Sequence, residues 1–207
     1  MTGPLISRLA EELMAWSPAE LVAVILAILY LLLAIRENIW CWLCAGLSTA
    51  LYVWLFLEAK LYMESLLNVF YFGMAIYGWH NWSAGGRENK ALAISVWPVG
   101  VHVTAMGVVT VLVILVGGWL NQHTDAAFPF VDSATTFSAI WATFLVARKV
   151  LENWYYWLVI DIVSIFIYWE RGLELTSLLF LLYVLMIPFG IINWTRSRRE
   201  RMQATAV

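Results

Sequence analysis

The sequence predicts an all-α membrane protein with seven transmembrane helices, arranged as two parallel three-helix repeats joined by one helix. Three observations support this: the composition, seven apolar segments and an internal repeat. Of the 207 residues, 63% are hydrophobic and 13% are charged, whereas a soluble domain is about 45–50% apolar and about 25% charged. Mean hydropathy is +0.80. A chain of this size cannot bury so much apolar surface within itself, which excludes a soluble enzyme, a disordered chain and a nucleic-acid-binding protein.

Seven segments approach the roughly 20 apolar residues that a spanning helix requires. They cover residues 19–35, 39–57, 61–82, 91–120, 133–150, 153–169 and 173–195. The fourth contains Pro98 and His102 and is expected to be kinked. Residues 1–18 are predicted to form an interfacial segment with an amphipathic helix. Ser17-Pro18-Ala19-Glu20 has the pattern of a capping box with proline at the first helical position, so it marks the start of the first span.

The chain contains an internal repeat, since residues 58–82 match residues 170–194 at ten of 25 positions. The matches include Tyr71 with Tyr183, Gly78 with Gly190, and Asn81-Trp82 with Asn193-Trp194. Upstream, with a three-residue shift, Glu37-Asn38 and Trp42-Leu43 match Glu152-Asn153 and Trp157-Leu158. The predicted division is a first unit, a linker with the fourth helix, a second unit and a basic cytoplasmic tail, at residues 19–82, 83–130, 131–195 and 196–207. Parallel repeats of this kind are typical of transporters.

The twelve Lys and Arg residues test the number of spans. Seven spans place nine of them on one side, namely Arg36, Arg87, Lys90, Arg148, Lys149, Arg196, Arg198, Arg199 and Arg201. The other side holds Arg8, Lys60 and Arg171. Because basic residues concentrate in cytoplasmic loops, we expect the C-terminus in the cytoplasm and the N-terminus outside.

Polar residues follow one face of the sixth segment. They are Asn153, Trp157, Asp161, Ser164 and Tyr168. Asp161 lies at the centre of this stripe, where a carboxylate costs at least about 2.5–3.5 kcal/mol and must face the bundle interior, water or a cation. Asn38 and Trp42 begin a related stripe on the second segment, and Asn68 and Tyr71 lie on the third. These nine residues are the predicted substrate-binding residues.

Several of these residues also suit a structural role. Asn153 is equally suited to capping the sixth helix, Asn68 to an interhelical hydrogen bond, and Asp161 to a protonated carboxyl bonded to a neighbouring helix. Tryptophans near span ends are typical of the aromatic belt at the membrane interface: Trp40, Trp79, Trp82, Trp119, Trp154 and Trp194. Trp42 and Trp157 lie deeper, and for them both roles stay open.

The sequence offers no motif for a cofactor or metal. Cys41 and Cys44 open a hydrophobic span and are interpreted as packing thiols, while the three histidines are too scattered to ligate a metal together. No Gly-rich phosphate loop followed by Lys-Ser/Thr is present. Asp161 lacks a second acid at matching depth, which argues against an intramembrane enzyme, since such enzymes need paired acids or a nucleophile with a base.

The chain resembles the PnuC family of bacterial vitamin transporters over residues 19–195. The most specific segments are Arg36-Glu37-Asn38-Ile39, Lys60-Leu61-Tyr62, Leu66-Leu67-Asn68-Val69-Phe70-Tyr71-Phe72, Ile76-Tyr77-Gly78-Trp79, Ala127-Phe128-Pro129-Phe130-Val131-Asp132-Ser133 and Arg148-Lys149-Val150-Leu151-Glu152-Asn153-Trp154. The resemblance implies a 3+1+3 fold related to the SWEET sugar transporters, a homotrimer in the lipid bilayer, and facilitated diffusion of nicotinamide riboside across the inner membrane. A cytosolic kinase would then trap the vitamin, so no cofactor is expected.

Thiamine is the alternative substrate that the family implies. Nicotinamide riboside and thiamine both carry flat aromatic cations, which suit Trp and Tyr faces, and asparagine amides suit polar groups of either. The family resemblance indicates Gln where Asn68 stands and Asn where Asp161 stands. An acid at this position is suited to a ligand cation or to an aminopyrimidine. A proton-coupled carrier that uses Asp161 also stays open.

Overall fold

A computed structural model describes residues 5–58, 62–83, 92–124 and 128–205. Eight helices form this described part of the chain: α1 Leu5–Ala15, α2 Pro18–Ile35, α3 Trp40–Glu58, α4 Tyr62–Ser83, α5 Val99–His123, α6 Pro129–Ala147, α7 Asn153–Glu170 and α8 Glu174–Thr205. Lys60, Arg87 and Lys90, which entered the orientation argument, lie outside the described residues.

The predicted start of the first span is confirmed. The Ser17 hydroxyl accepts a hydrogen bond from the Glu20 amide, and the Ser17 amide donates to the Glu20 carboxylate. Pro18 occupies the first helical position. α1 precedes this cap and packs against the start of α8, where Arg8 pairs with Glu174.

The fourth predicted segment differs from the structure at both ends. Residues 92–98 are not helical, and Ser95 instead forms a parallel β-bridge with Val150. Pro98 is therefore the N-cap of α5 rather than a kink within it. Within α5, the helix is π-helical over Val113–Gly117. In the predicted basic tail, α8 continues as far as Thr205.

Five of the described helices are long and apolar enough to cross a membrane: α2, α3, α5, α6 and α8. α4 and α7 have comparable lengths, 22 and 18 residues. They are less apolar because they carry the polar residues that the sequence analysis singled out, among them Asn68 and Asp161. Among α2 to α8, the two helices that are less apolar than the five candidate spans are thus the ones that carry most of the predicted site residues.

Two sets of contacts join distant parts of the chain, and the residues of one set lie 112 positions from their counterparts in the other. The Asn81 and Trp82 side chains of α4 donate hydrogen bonds to the carbonyls of Ala147 and Val146 at the end of α6. The Asn193 and Trp194 side chains of α8 donate in the same way to the carbonyls of Ile35 and Ala34 at the end of α2. Every donor and every acceptor in one set is displaced from its counterpart in the other by this same interval.

The interval also holds upstream, which corrects the three-residue shift suggested by the sequence identities. Trp42 contacts Gly78 and Trp154 contacts Gly190, so the counterpart of Trp42 is Trp154, not Trp157. Glu37 and Lys149, which the same interval of 112 residues separates, both have positive φ angles, 54° and 50°. The short identities around Glu37 and Glu152 arise from residues that occupy different places in the fold.

Three tryptophans expected in the interfacial belt lie in the core instead. The exposed fractions of Trp82, Trp154 and Trp194 are 6%, 2% and 0%. Trp82 and Trp194 pack against one another, with ring centroids 6.2 Å apart. The indole N–H groups of these two residues are committed to the carbonyls described above, which explains why both are buried although they lie near helix ends.

Candidate substrate-binding cavity

A cavity of about 410 Å³ lies between α2, α3, α4, α6, α7 and α8. Its volume falls in the range of small-molecule sites, roughly 300–1,000 Å³. None of its described lining residues comes from α1 or α5. The cavity is therefore lined by the four helices that the recurring contacts join, α2, α4, α6 and α8, together with α3 and α7.

Eight of the nine predicted site residues line this cavity: Trp42, Asn68, Tyr71, Asn153, Trp157, Asp161, Ser164 and Tyr168. Asn38 does not. Its carboxamide oxygen accepts a hydrogen bond from the Trp40 amide at 3.0 Å, so it caps the start of α3 instead of facing the cavity. The turn before α3 thus uses the Asn38 side chain locally, and a role for Asn38 in substrate binding stays a prediction.

Asp161 is the one Asp, Glu, Lys, Arg or His among the described residues that line the cavity. It lies near the middle of α7, eight residues or roughly 12 Å from Asn153 along the helix. Its exposed fraction is 3%. Within the described part of the chain its carboxylate has no hydrogen bond or ion pair, and neither oxygen is sealed among protein atoms. An acid without a partner in that part of the protein thus borders the empty space.

Aromatic residues form much of the remaining wall. The sequence analysis anticipated Tyr71, Trp157 and Tyr168 but missed three tyrosines of α2, α3 and α8, which are Tyr30, Tyr52 and Tyr183. Isolated tyrosines in apolar helices do not show which face they occupy, so no sequence signal marked Tyr30 or Tyr52. Tyr183 had a signal, since it is the repeat counterpart of Tyr71.

Hydrogen bonds within the helices restrict two of the polar lining residues. The Asn68 amide donates to the Glu64 carbonyl at 2.8 Å, which leaves its carboxamide oxygen to accept a hydrogen bond from a ligand. The Asn153 amide donates to the Val150 carbonyl at 2.6 Å, and its oxygen is buried without a partner among the described residues. Asn153 therefore serves the turn before α7 as well as the wall, but it does not cap α7, because its oxygen accepts no backbone N–H among the described residues.

Polar contacts join the segments that follow α2 and α6, close in sequence to the cavity-lining residues Ala34 and Val146. Lys149 and Glu37 form an ion pair at 3.0 Å, and Arg201 lies 3.4 Å from the same carboxylate. The Lys149 ammonium lies 4.4 Å from the Trp82 ring centroid. Burial lowers the pKa of Lys149, and the adjacent Glu37 carboxylate opposes that shift. We refer to Glu37, Lys149, Trp82 and Trp194 as the seal.

The chemistry of the cavity suits binding rather than catalysis. Among the residues that the structure describes, no group of three His, Cys, Asp or Glu side chains could hold a metal ion. Asp161 has no second carboxylic acid, histidine or lysine beside it in the described lining, whereas general acid–base catalysis needs a positioned partner. A single negative charge surrounded by aromatic faces is instead suited to a flat organic cation.

The family model described as nicotinamide mononucleotide transporter matches residues 17–196. The chain belongs to this family. Family members are transporters, so the protein is a transporter rather than an enzyme, with several apolar helices consistent with a multi-pass inner-membrane protein.

Individual relatives of the nicotinamide mononucleotide transporter family agree with this assignment. The nicotinamide riboside transporter PnuC of Escherichia coli is 30% identical and covers 88% of this chain and 87% of its own. The riboflavin/roseoflavin transporter RibM of Streptomyces davaonensis is 26% identical, and the alignment covers 93% of this chain and 91% of RibM. The crystal structure of the vitamin B3 transporter PnuC superposes with a TM-score of 0.70 at 22% identity and covers 95% of this chain and 90% of that one. This last comparison shows the fold.

Proposed function

We propose that this protein carries nicotinamide riboside across the bacterial inner membrane by facilitated diffusion. The observation that carries the proposal is the Asp161 carboxylate, which has no partner among the described residues, in an aromatic cavity of about 410 Å³. Nicotinamide riboside presents a pyridinium cation to that charge and a flat ring to Trp157 and Tyr71. Cation–π contacts of this type contribute about 0.5–2 kcal/mol each. The name of the Escherichia coli relative supports the same substrate.

The charge of the cavity favours the nucleoside over the mononucleotide. The family description names the mononucleotide, but no Lys or Arg is among the described lining residues. A phosphate group would therefore enter a site without a cationic partner and would be repelled by Asp161, and buried unpaired charges are costly. Riboflavin, which the name of one relative mentions, has a neutral ring system and gains nothing from the Asp161 charge.

Thiamine is the second candidate, and the same carboxylate favours it. Its thiazolium ring is also a flat cation, and its aminopyrimidine offers N–H donors to a carboxylate or to the Asn68 oxygen. The name of the Escherichia coli relative favours nicotinamide riboside over thiamine. Direct competition between the two vitamins separates these substrates.

We further propose that the seven helices α2 to α8 span the membrane in a 3+1+3 arrangement of parallel repeats, with α5 as the single linker. The contacts that recur at one fixed interval in the sequence support this arrangement. The seal would then open when one repeat rocks against the other, which is how repeat-built transporters alternate access. The excess of basic residues beside the seal supports a cytoplasmic C-terminus.

The remaining parts of the proposal follow from the family resemblance. We expect a homotrimer in the lipid bilayer. In it, α1 lies at the membrane–water interface, and the outer face of α5 contacts lipid or another copy. Its Val103, Ile114 and Leu115 are all exposed in the single chain. A cytosolic kinase would phosphorylate the vitamin and so maintain the inward gradient.

Binding to purified protein tests the proposed substrate. We expect nicotinamide riboside to quench tryptophan fluorescence saturably, and Trp157→Ala and Asp161→Asn each to raise Kd at least tenfold. Trp119→Ala is the matched control, because Trp119 is exposed outside the cavity and its loss removes fluorescence without removing a cavity contact. Quenching by thiamine alone would identify thiamine as the substrate instead of nicotinamide riboside. No quenching by either vitamin would overturn the proposal.

A further inference from the structure

α8 carries an exposed stripe of side chains that changes from apolar to basic along the helix. Leu185, Phe189 and Ile192 lie at helical spacing and are 60%, 65% and 65% exposed. Arg196 and Arg199 are also exposed and continue the same spacing, so all five side chains share one face of the helix. We refer to these five residues as the α8 stripe. The stripe presents an apolar half and a basic half to whatever lies beside α8.

The length of α8 places this change of character at the membrane surface. Its 32 residues extend about 48 Å, which exceeds the roughly 30 Å of the hydrocarbon core. Residues 175–192 hold no charged side chain, and Asn193 and Trp194 fix the end of this part against the carbonyls at the end of α2. Arg196 and Arg199 therefore lie at the depth of the lipid headgroups, and the apolar half of the stripe lies alongside acyl chains.

A groove of about 420 Å³ lies beside the basic half of the stripe. It is lined by Ile191, Ile192, Thr195, Arg196, Arg199 and Glu200. Arg196 donates to the Glu200 carboxylate at 2.8 Å, so the charge of this guanidinium is balanced locally. Arg199 has no hydrogen bond or ion pair within the described part of the chain. The groove thus combines apolar side chains with one uncompensated cation, which is the arrangement that an anionic amphiphile requires.

We propose that the α8 stripe binds an anionic glycerophospholipid, with its phosphate at Arg199 and an acyl chain along the apolar half. A guanidinium forms charge-assisted hydrogen bonds with phosphate oxygens, often two at a time. From Leu185 to Ile192 the apolar half extends about 10 Å, and one leaflet of the hydrocarbon core is about 15 Å thick. A single acyl chain is therefore long enough to cover this half while the headgroup stays at the arginines.

The charge of the stripe distinguishes this lipid from other occupants. A zwitterionic lipid would bring its ammonium group, a further positive charge, beside Arg196 and Arg199. Inorganic phosphate would balance Arg199 but would leave the apolar half uncovered. A second copy of the chain that docked through the same stripe would bring like charges together, which is unfavourable. The inference is independent of the vitamin that the protein carries.

Lipid binding to purified, delipidated protein is the first test. Palmitoyl-oleoyl phosphatidylglycerol is added in dodecyl maltoside, the bound lipids are counted by native mass spectrometry, and Tm is measured in parallel. At tenfold its Kd, the anionic lipid should raise Tm by about 3–6 °C, because it binds the folded protein. The phosphatidylcholine with the same acyl chains, or inorganic phosphate, should give at most about a third of that shift at the same concentration.

Variants on α8 then locate the site. A basic residue beside an anionic lipid strengthens binding about fivefold, so Arg199→Gln should raise the Kd of phosphatidylglycerol about fivefold. Glu200→Gln releases Arg196 from its ion pair and should lower this Kd, a gain that a poorly folded variant could not show. Arg198→Gln is the matched control, because Arg198 lies on the other side of the helix. It should change the Kd by less than about twofold at physiological salt.

The apolar half has its own variant, since Phe189→Ala should weaken phosphatidylglycerol binding without removing a charge. Equal affinity of the wild type for the two lipids, or an unchanged Kd in Arg199→Gln, would overturn the site. A Tm shift with inorganic phosphate as large as that with phosphatidylglycerol would assign Arg199 to free phosphate and overturn the lipid. If the wild type bound no phosphatidylglycerol and Phe189→Ala lowered the molar mass of the complex in light scattering, a second copy would cover the stripe, and the proposal would also fail. The comparison of the two lipids on the wild type decides the question even if a variant does not fold.

Discussion

The seal gives a prediction whose magnitude follows from its contacts. Substitution Glu37→Gln keeps the size and the positive φ of the residue but removes the charge opposite Lys149. The side chains of Lys149 and Glu37 are only 5% and 12% exposed. Removing one partner of a buried ion pair costs about 3–5 kcal/mol, because the other charge is left without compensation. The Trp82 ring retains about 1 kcal/mol of cation–π stabilisation, which leaves a loss of roughly 2–4 kcal/mol.

Thermal unfolding in detergent measures this loss. For a chain of this size, 1 kcal/mol corresponds to roughly 2–4 °C in Tm, so we expect a decrease of at least about 4 °C. The exchanged double variant Glu37→Lys with Lys149→Glu should recover part of it, because it restores the pair in the opposite orientation. Glu200→Gln, which removes an exposed acid, is the control and should change Tm by less than about 2 °C.

The pH dependence of the variant provides a second readout. Burial lowers the pKa of Lys149 from 10.5, and Glu37 opposes that shift, so Glu37→Gln lowers the pKa further. Between the folded-state pKa and 10.5 the unfolded chain binds more protons than the folded one, and stability therefore increases with pH. We expect the Tm deficit of Glu37→Gln to shrink as pH rises through this window. An unchanged Tm at neutral pH would refute the reasoning.

Three further stability predictions concern tight packing, caps and strained turns, all measured as the free energy of unfolding. Gly78→Ala and Gly190→Ala place a Cβ within 2.3 and 2.6 Å of tryptophan rings and should cost about 1–3 kcal/mol; Gly100→Ala, with nothing within 4 Å, is the matched helical control and should not destabilise. Ser17→Ala removes a capping-box acceptor and should cost about 1 kcal/mol. Gly172→Ala forces a side chain onto a φ of +72° and should cost about 1–2 kcal/mol, whereas a gain would contradict the strain argument.

The sequence was sufficient for features that depend on local or periodic patterns. Ser17 and Glu20 form the predicted capping box because both partners lie within one turn. The stripe on α7 was identified correctly because 3.6-residue periodicity determines which side chains share a face. Five members of that stripe line the cavity, so local geometry together with the cost of a buried acid identified the α7 side of the wall.

The features that the sequence did not reveal depend on backbone partners and on the opposing helices. Trp82 and Trp194 were assigned to the membrane interface because they lie near span ends. Their burial depends on main-chain carbonyl acceptors, which have no signature in sequence. Asn38 was placed in the site because its pattern resembled that of Asn153, although the two occupy different places in the fold. Tyr30 and Tyr52 reach the cavity only through the packing of α2 and α3, which hydropathy does not determine.

The seal also constrains the evolutionary history of the chain. If a three-helix unit paired with an identical copy of itself, positions 37 and 149 would hold the same residue, and two like charges would meet at the junction. Glutamate opposite lysine requires two units with separate sequences, as in a single fused chain. The Asn and Trp side chains donate to main-chain carbonyls, which every residue has, so these contacts impose no such requirement and tolerate divergence. The Glu37–Lys149 pair, by contrast, distinguishes one half from the other. Expressed as separate polypeptides, the two halves should therefore prefer each other to themselves.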